Sequence, residues 1–199
     1  MRDLRATTTF LGMRIEYDQK NKILQIDQKA YTEGIILHFD IMNAKPPQMP
    51  LLEGIHLEKA PDNYTAGDKF HQHYQAIIGS LIYLMISSRS DIAWSITHLS
   101  QYMQNSMQQY VDVCKHIFCY LQGTTNAQIT YDSEKNSGLI GYSNADWDEN
   151  RDNQRLTTDY VFLMADAAIT WASQMQKTVA RSSTGAEYMA LFKASLEIA

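Results

Sequence analysis

The sequence has few of the features that define disulfide-rich, secreted or membrane-spanning proteins. It contains only two cysteines among 199 residues, Cys114 and Cys119, and they lie five positions apart in an apolar helical pattern. We expect reduced, buried thiols there, and no zinc-binding spacing accompanies them. No run of about eighteen apolar residues occurs, and the N-terminus lacks the apolar stretch of a signal peptide. We therefore expect no membrane partner and favour an intracellular location, in the cytoplasm or the nucleus.

The chain is also short of positive charge. It has 17 lysines and arginines against 22 acidic residues, which makes its net charge −5 and its isoelectric point about 5.6. Strong autonomous binding to nucleic acid is disfavoured, because phosphate neutralisation requires clustered Lys and Arg. The balance does not exclude a piece of a larger nucleic-acid enzyme whose basic groove lies elsewhere. No phosphate-binding loop, dinucleotide fingerprint or G-x-S-x-G motif occurs, so no small-molecule cofactor is expected.

Prolines are few and unevenly placed, since all four fall within residues 46–61. They belong to a long irregular stretch that follows about Phe39 and ends near Gly67, and this stretch predicts an extended loop or linker. Before it, alternating apolar residues over 10–17 and 23–26 predict a hairpin, and Asp27 is placed to cap a short helix. After it, apolar residues recur at spacings of three and four in three successive segments, which predicts a small helical subdomain. Asp91 is placed to cap the second of these helices.

From residue 128 onward the apolar period changes to that of β-strands. Four candidate strands follow, at 128–131, 139–144, 160–164 and 168–172. The first is expected to pair only loosely with the others, so a three-stranded antiparallel core is the firmer prediction. Thr184 and Glu187 then have the spacing of a capping box, which predicts the start of a final helix.

The strand predicted at 139–144 ends in the most informative segment of the chain, Tyr142-Ser143-Asn144-Ala145-Asp146-Trp147. Alternation places residues 142, 144 and 146 on one face. Carboxylates at 144 and 146 would make half of a metal-binding pair. The chain has Asn144, whose neutral carbonyl is a weaker ligand for a hard cation such as Mg²⁺ than an anionic oxygen.

These residues resemble the copia-type retrotransposon Pol polyproteins. Residues 142–147 look like the motif Y-S-D-A-D-W, 155–162 like R-S-T-S-G-Y-V-F, and 176–191 like Q-K-T-V-A-L-S-S-T-E-A-E-Y-M-A-L. Upstream segments that begin at Phe10, Ile78, Ser88 and Tyr120 resemble F-L-G-I-E-I, I-G-S-L-x-Y-L, T-R-P-D-I-A and Y-L-K-G-T. The matches follow the family's order and cover the chain from about Phe10 to its end.

The resemblance implies an α+β fold in two parts. Residues 1–126 would form an N-terminal hairpin and a helical region like the thumb and connection that follow a reverse transcriptase palm. Residues 127–199 would form an incomplete, truncated ribonuclease H-like domain of antiparallel strands plus a helix. The paired-Asp palm motif Y-V-D-D is absent, so polymerase activity is not expected. The family's fold continues beyond residue 199, so an exposed sheet edge and an exposed apolar face are expected.

The resemblance also implies the site residues. Ribonuclease H chemistry uses two metal ions, Mg²⁺ in intact family members, held by carboxylates. The first carboxylate position matches Asn144, the second matches Glu187, and the third lies beyond residue 199. Glu187 would therefore be a vestigial catalytic residue and, with Asp146, at most a weak metal ligand. Two roles stay open for Glu187, because the capping box with Thr184 explains it without catalysis, and Asp146 also suits a strand end or turn.

The expected function is accordingly a fragment of a copia-type Pol polyprotein that is catalytically inactive alone, a pseudoenzyme without a cofactor. The alternative is a non-catalytic module that binds an RNA–DNA hybrid or another polymerase subunit, or a domesticated interaction protein. Trp147 and Trp171 are interpreted as core aromatics and not as a base-stacking platform. His71 and His73 are interpreted as surface histidines, because no third zinc ligand lies near them in the sequence.

Overall fold

The computed structural model describes residues 7–40, 45–51, 55, 57–61, 63–135, 138–146, 156–176 and 182–198. Within these ranges the fold is mixed α/β, with two antiparallel sheets and five α-helices. The N-terminal elements are β1 (Thr9–Phe10), β2 (Met13–Asp18), β3 (Ile23–Asp27) and α1 (Lys29–His38). The helical part contains α2 (Asp68–Ser87), a 3-10 turn (Ser90–Ile92), α3 (Ala93–Ser100) and α4 (Gln108–Gly123). The remaining elements are β4 (Ile129–Asp132), β5 (Ile140–Asp146), β6 (Thr157–Met164), β7 (Ala167–Met175) and α5 (Ser183–Ile198).

The predicted hairpin at the N-terminus is confirmed, with one interruption. Leu11 and Gly12 have φ angles of +47° and +75°, and this turn divides the first predicted strand into β1 and β2. The turn between β2 and β3 is closed by the Asp18 carboxylate, which accepts a hydrogen bond from the Lys20 N–H at 2.9 Å. Asp27 Oδ1 accepts from the Lys29 N–H at 3.0 Å. The N-cap of α1 is Gln28, which makes no side-chain cap hydrogen bond, so the predicted role of Asp27 as the cap is corrected to that of the residue before the cap.

The strand predicted at 128–131 forms its ladder with the N-terminal sheet. This strand, β4, pairs antiparallel with β3 and places Ile129 opposite Ile26, which completes the order β1-β2-β3-β4. Its expected pairing with the later strands is therefore corrected, although the Tyr131 hydroxyl donates to the Ala168 carbonyl of β7 at 2.7 Å. The division of the chain near residue 126 stays a prediction.

The main core lies among α1, α2, α3 and α4, and the three helices predicted from apolar spacing are confirmed. Its fully buried side chains include Tyr74, Ile78, Leu81, Ile96, Leu99, Tyr110, Cys114 and Phe118. The described parts of the predicted loop, 45–51 and 57–61, contain no helix or strand and are held by tyrosines. Tyr110 Oη donates to the Glu58 carbonyl at 2.6 Å. No described helix has both the length and the apolar character needed to cross a membrane.

Cys114 and Cys119 are both free, as predicted. Cys114 is buried, and its burial raises the pKa of the thiol to about 12. Cys119 is only partly buried. Burial raises the pKa of both thiols, which disfavours the reactive thiolate, so both are interpreted as packing residues.

The second sheet has the order β5-β6-β7, and the predicted three-stranded antiparallel core is confirmed. The helical part holds this sheet by hydrogen bonds that end on main-chain carbonyls. Trp171 Nε1 of β7 donates to the Met85 carbonyl of α2 at 2.8 Å. Thr97 Oγ1 of α3 donates to the Ser173 carbonyl of β7 at 2.9 Å. The sheet therefore has a defined position beside α2 and α3.

Candidate functional site

Helix α5 packs on one face of the second sheet. Tyr160 and Phe162 of β6 contact Ala194, and small residues at 186, 190 and 194 form the buried stripe of the helix. The cross-strand partner of Phe162 is Gly141, where an added Cβ would lie 2.3 Å from the Phe162 ring. Glycine at this position therefore makes room for the ring that supports α5.

Gln176 anchors the beginning of α5 and is the first residue of the matched 176–191 segment. Its side chain is buried, and Nε2 donates to Thr158 Oγ1 at 3.0 Å and to the Ala186 carbonyl at 3.3 Å. Sequence reasoning missed this role because a glutamine after a strand has no distinctive spacing. The contact joins β6 to the first turn of α5, and so it sets where the helix begins relative to the sheet.

The N-cap of α5 is Ser182, and the capping box predicted between Thr184 and Glu187 does not form. Ser182 Oγ accepts from the Gly185 N–H at 3.0 Å, and the Ser182 carbonyl accepts from the Ala186 N–H at 3.0 Å. Thr184 lies inside the first turn, because α5 begins at Ser183. The capping role that stayed open for Glu187 was therefore wrong.

Glu187 instead reaches the edge of β5. Its Oε2 accepts a hydrogen bond from the Ala145 N–H at 3.2 Å, directly beside Asn144 in the chain. Both Glu187 and Asn144 are exposed. Ser143, which is paired with Tyr160, shares the face that carries α5. Strand alternation consequently places the Asn144 side chain on the opposite face, so the structure brings Glu187 to the main chain at this position but not to the Asn144 side chain.

Apart from Glu187, no carboxylate that was predicted as a metal ligand is described in this region. The side chain of Asp146 and the whole of Trp147 lie outside the described residues. Within the described part of the chain, no group of three or more His, Cys, Asp or Glu side chains is placed to hold a metal ion. The described residues therefore do not fit the pair of Mg²⁺ ions that the family resemblance implies.

Two of the matched motifs are joined by a polar cluster that consists of Arg89, Asp91, Tyr120 and Thr124. Arg89 is only 4% exposed, and its Nη2 donates to Asp91 Oδ2 and to Thr124 Oγ1, each at 2.7 Å. Tyr120 Oη donates to the same Asp91 oxygen at 2.7 Å, and the Arg89 guanidinium lies 5.5 Å from the Tyr120 ring centre. Asp91 thus binds Arg89 and Tyr120, and its predicted role as a helix cap was wrong.

The electrostatics of Asp91 follow from these contacts. Burial is the largest single effect, and it raises the pKa of the carboxyl. The hydrogen bonds and positive charge of Arg89, together with the Tyr120 hydroxyl, outweigh burial and lower the pKa below its ordinary value of 3.8. The cluster is a structural ion pair in which the Arg89 guanidinium is buried and the Asp91 side chain is 37% exposed.

The histidine interpretation is confirmed for His73, which is exposed, and needs refinement for His71. His71 is half-buried, with Nδ1 3.1 Å from Ser106 Oγ and Nε2 3.0 Å from Gln75 Nε2. Both ring nitrogens therefore have partners in the fold. Trp171 is partly buried and hydrogen-bonded, which agrees with its interpretation as a packing residue.

Comparison with known proteins places the chain among transposon polyproteins. It is 33% identical over 201 residues to the retrovirus-related Pol polyprotein from transposon TNT 1-94 of Nicotiana tabacum, and 32% identical over 191 residues to that from transposon RE1 of Arabidopsis thaliana. These alignments cover 100% and 95% of this chain but only 15% and 12% of the relatives.

A shorter relative also matches. The chain is 35% identical over 124 residues to secreted RxLR effector protein 161 of Plasmopara viticola, over 62% of this chain and 87% of that protein. No family model matches the chain. No solved structure matches it either. The near-complete alignments to the two polyproteins agree with the ordered motifs, and the chain therefore belongs to the retrovirus-related Pol polyproteins of copia-type transposons, of which it is a fragment.

Proposed function

We propose that the chain joins the thumb-and-connection region of a reverse transcriptase to the first half of a ribonuclease H-like domain, and that it does not cleave RNA by itself. The observation that supports this most directly is the contact between Glu187 of α5 and the Ala145 N–H of β5, beside Asn144. A three-stranded antiparallel sheet with one helix on its face is the arrangement that the family resemblance implies for the first two carboxylate positions.

The inactivity follows from the chemistry of these positions. Two-metal hydrolysis requires anionic oxygens that converge on both ions. Asn144 supplies a neutral amide on the face opposite α5, and the Glu187 carboxylate already accepts a main-chain hydrogen bond. A pair of Mg²⁺ ions would activate the attacking water and stabilise the leaving oxygen, and the described residues here do not supply the anionic ligands that would hold such a pair.

A nuclease assay tests the proposal. The purified chain is incubated with a labelled RNA–DNA hybrid in Mg²⁺ and, separately, in Mn²⁺, and we expect no cleavage above a blank. We also expect Asn144→Asp to stay inactive, because its new carboxylate would leave β5 on the face opposite α5. Hybrid-dependent cleavage that is lost in Glu187→Gln but kept in Glu197→Gln, a matched change on the same helix, would overturn the proposal.

The competing hypothesis is a non-catalytic module that binds an RNA–DNA hybrid or another polymerase subunit. The net charge of −5 makes hybrid binding the weaker hypothesis, because each phosphate contact needs a positive partner. Gel-shift titration over a range of salt concentrations separates the two. Preferential binding of hybrid over DNA duplex that weakens steeply with salt would favour the binding module.

A domesticated interaction protein is a second candidate, and the match to the RxLR effector favours it. That relative is named as a secreted effector, and the alignment covers 87% of its length. A protein with an independent interaction role must fold by itself, so cooperative thermal unfolding of the isolated chain is its first requirement. A broad, non-cooperative transition would argue against this candidate. An intracellular location and the absence of a small-molecule cofactor stay predictions.

A further inference from the structure

A cavity lies between α5 and the second sheet, at the end of the sheet where β6 begins and β7 stops. Its volume is about 490 Å³, within the range of about 300–1,000 Å³ for small-molecule sites. Its lining comes from the sheet and from one side of the helix: Thr158, Gln176, Tyr188, Met189, Phe192, Lys193 and Leu196. The cavity therefore combines a polar floor on the sheet with a largely apolar wall on the helix.

The wall on α5 is a row of large apolar side chains. Tyr188, Phe192 and Leu196 follow one another at intervals of four residues, which places them on one side of the helix. They are 69%, 65% and 60% exposed, so the described residues leave most of each side chain uncovered. Met189 is partly buried beside them, and its thioether makes favourable contacts with aromatic rings. Exposed apolar side chains that adjoin a cavity indicate a binding surface for an apolar or aromatic group.

Gln176 supplies the polar group at the floor of this cavity. The residue is only 5% exposed, and its amide nitrogen donates to Thr158 Oγ1 and to the Ala186 carbonyl. Because a carbonyl oxygen only accepts, the contact with Ala186 identifies the nitrogen of the amide and leaves Oε1 as the remaining acceptor. Oε1 has no hydrogen-bond partner among the described residues. A buried acceptor without a partner is unfavourable, so a donor that enters the cavity would satisfy it.

The polar groups limit the ligand to a neutral donor. Gln176 Oε1 would repel a carboxylate or phosphate oxygen, because both are acceptors. Lys193 also lines the cavity, and its ammonium group donates to Gln174 Oε1. This positive charge disfavours a second ammonium group inside the cavity. A ring N–H fits better than a hydroxyl, because the hydroxyl oxygen would itself need a donor that Gln176 Oε1 does not provide.

From these observations we infer that the cavity binds a planar aromatic group that carries one neutral N–H donor, of which indole is the simplest example. The ring would pack against the row formed by Tyr188, Phe192 and Leu196, and its N–H would donate to Gln176 Oε1. Phe192 and Leu196 lie outside the buried core, so they can turn outward to admit the ring without loss of core packing. The inference rests on the cavity alone and does not depend on the proposed relation to ribonuclease H.

Calorimetric titration of the full chain with indole and with benzofuran tests the inference. Benzofuran has the same shape but carries an oxygen in place of the N–H, so it presents an acceptor where Gln176 Oε1 needs a donor. We expect saturable binding of indole and about tenfold weaker binding of benzofuran. Saturation-transfer NMR of the two ligands is the second readout.

A third probe distinguishes the two sources of such a ring. N-acetyltryptophan amide carries the indole ring on a single peptide unit. Tighter binding of this probe than of indole identifies the ligand as a tryptophan side chain of a partner protein. Equal or weaker binding identifies it as a free small molecule.

Two matched variants on α5 connect the binding to the cavity. Phe192→Ala removes part of the apolar wall and should weaken indole binding about fivefold or more. Leu191→Ala changes a similarly exposed apolar residue that does not line the cavity, and it should have no effect. Circular dichroism confirms that each variant is folded.

Gln176→Met removes the acceptor and keeps the length of the side chain. Where it folds, it should bind indole and benzofuran equally. Because it also loses the contact with the Ala186 carbonyl, the two ligands on the parent chain and the two α5 variants decide the question if it does not fold. No saturation at millimolar indole, equal binding of indole and benzofuran by the parent chain, or equal effects of Phe192→Ala and Leu191→Ala would each overturn the inference.

Discussion

Arg89 and Thr124 meet through two hydrogen bonds, from Nη2 to the threonine hydroxyl at 2.7 Å and from Nη1 to its carbonyl at 3.2 Å. The two residues lie 35 positions apart and belong to different matched motifs. Their contact ties the 3-10 turn before α3 to the end of α4. The motifs S-R-S-D and Y-L-Q-G-T therefore form one hydrogen-bonded structural unit around the buried Arg89.

Removing Arg89 should strongly destabilise the helical core. Arg89→Ala leaves the Asp91 carboxylate without its partner, and the expected loss is about 3 kcal/mol in the free energy of unfolding. This is the lower end of the range for breaking a buried pair, because 37% of the Asp91 side chain is exposed. Urea denaturation measures the loss. Lys115→Ala removes an exposed ion pair with Asp112 and should cost about 1 kcal/mol or less; equal losses would contradict the structural role.

The same cluster should make stability depend on pH. The pKa of Asp91 is lower in the folded chain than its ordinary value of 3.8, so its contribution is fully present above that value and is lost as the pH falls through the folded pKa. Asp91→Asn should therefore be less stable than the parent at pH 7, and the difference should shrink below about pH 4. Urea midpoints at several pH values measure this. A difference that grows on acidification would reverse the expected sign.

Two substitutions at the start of α5 test whether Ser182 or Thr184 caps the helix. Ser182→Ala removes the hydrogen bond from Gly185 N–H to Ser182 Oγ and should cost about 1 kcal/mol of stability. Thr184→Ala removes a side chain inside the first turn, so it should change stability by less than about 0.5 kcal/mol. The free energy of unfolding of each variant is measured by urea titration. The reverse order would restore the capping box that the sequence suggests.

Gly141 should tolerate no side chain while Phe162 is present. Gly141→Ala places a Cβ 2.3 Å from the Phe162 ring and should cost about 1–3 kcal/mol. Gly79→Ala is the matched control, since its added Cβ meets nothing within 4 Å on α2, and it should stabilise the chain by up to about 1 kcal/mol. Thermal or urea unfolding measures both.

A double-mutant cycle assigns the Gly141 effect to one contact. Phe162→Leu alone should destabilise the sheet, but the double variant with Gly141→Ala should lose less than the sum of the single losses, because the smaller side chain leaves room for the new methyl group. Strictly additive losses would show that the strain at Gly141 arises elsewhere.

The sequence was sufficient to predict a helix, a strand or a turn wherever the pattern of residues that specifies it is local. Spacings of three and four from Tyr74 to Met85 predicted α2, and alternation predicted β6 and β7, because these elements bury one side of a regular period. Asp27 and Asp18 have short-range roles that follow from their ability to accept hydrogen bonds from nearby main-chain N–H groups.

Long-range partners could not be predicted in this way. Nothing near Ile129 indicates that its strand pairs with Ile26, about a hundred positions earlier, because ladder pairing leaves no local pattern. Two helix caps that were predicted from local spacing were also wrong, because other contacts took their place. Asp91 precedes an apolar run as a cap would, but a buried arginine captures its carboxylate. Thr184 and Glu187 have capping-box spacing, but Ser182 lies two residues earlier and takes the cap.

The attachment of the second sheet has a consequence for how this chain can change over evolutionary time. The hydrogen bonds from Trp171, Thr97 and Tyr131 end on the main-chain carbonyls of Met85, Ser173 and Ala168. A carbonyl persists whatever side chain its residue carries. Substitution of Met85, Ser173 or Ala168 therefore leaves the acceptor of each hydrogen bond in place, and a copy of this segment can accumulate such mutations and keep its shape.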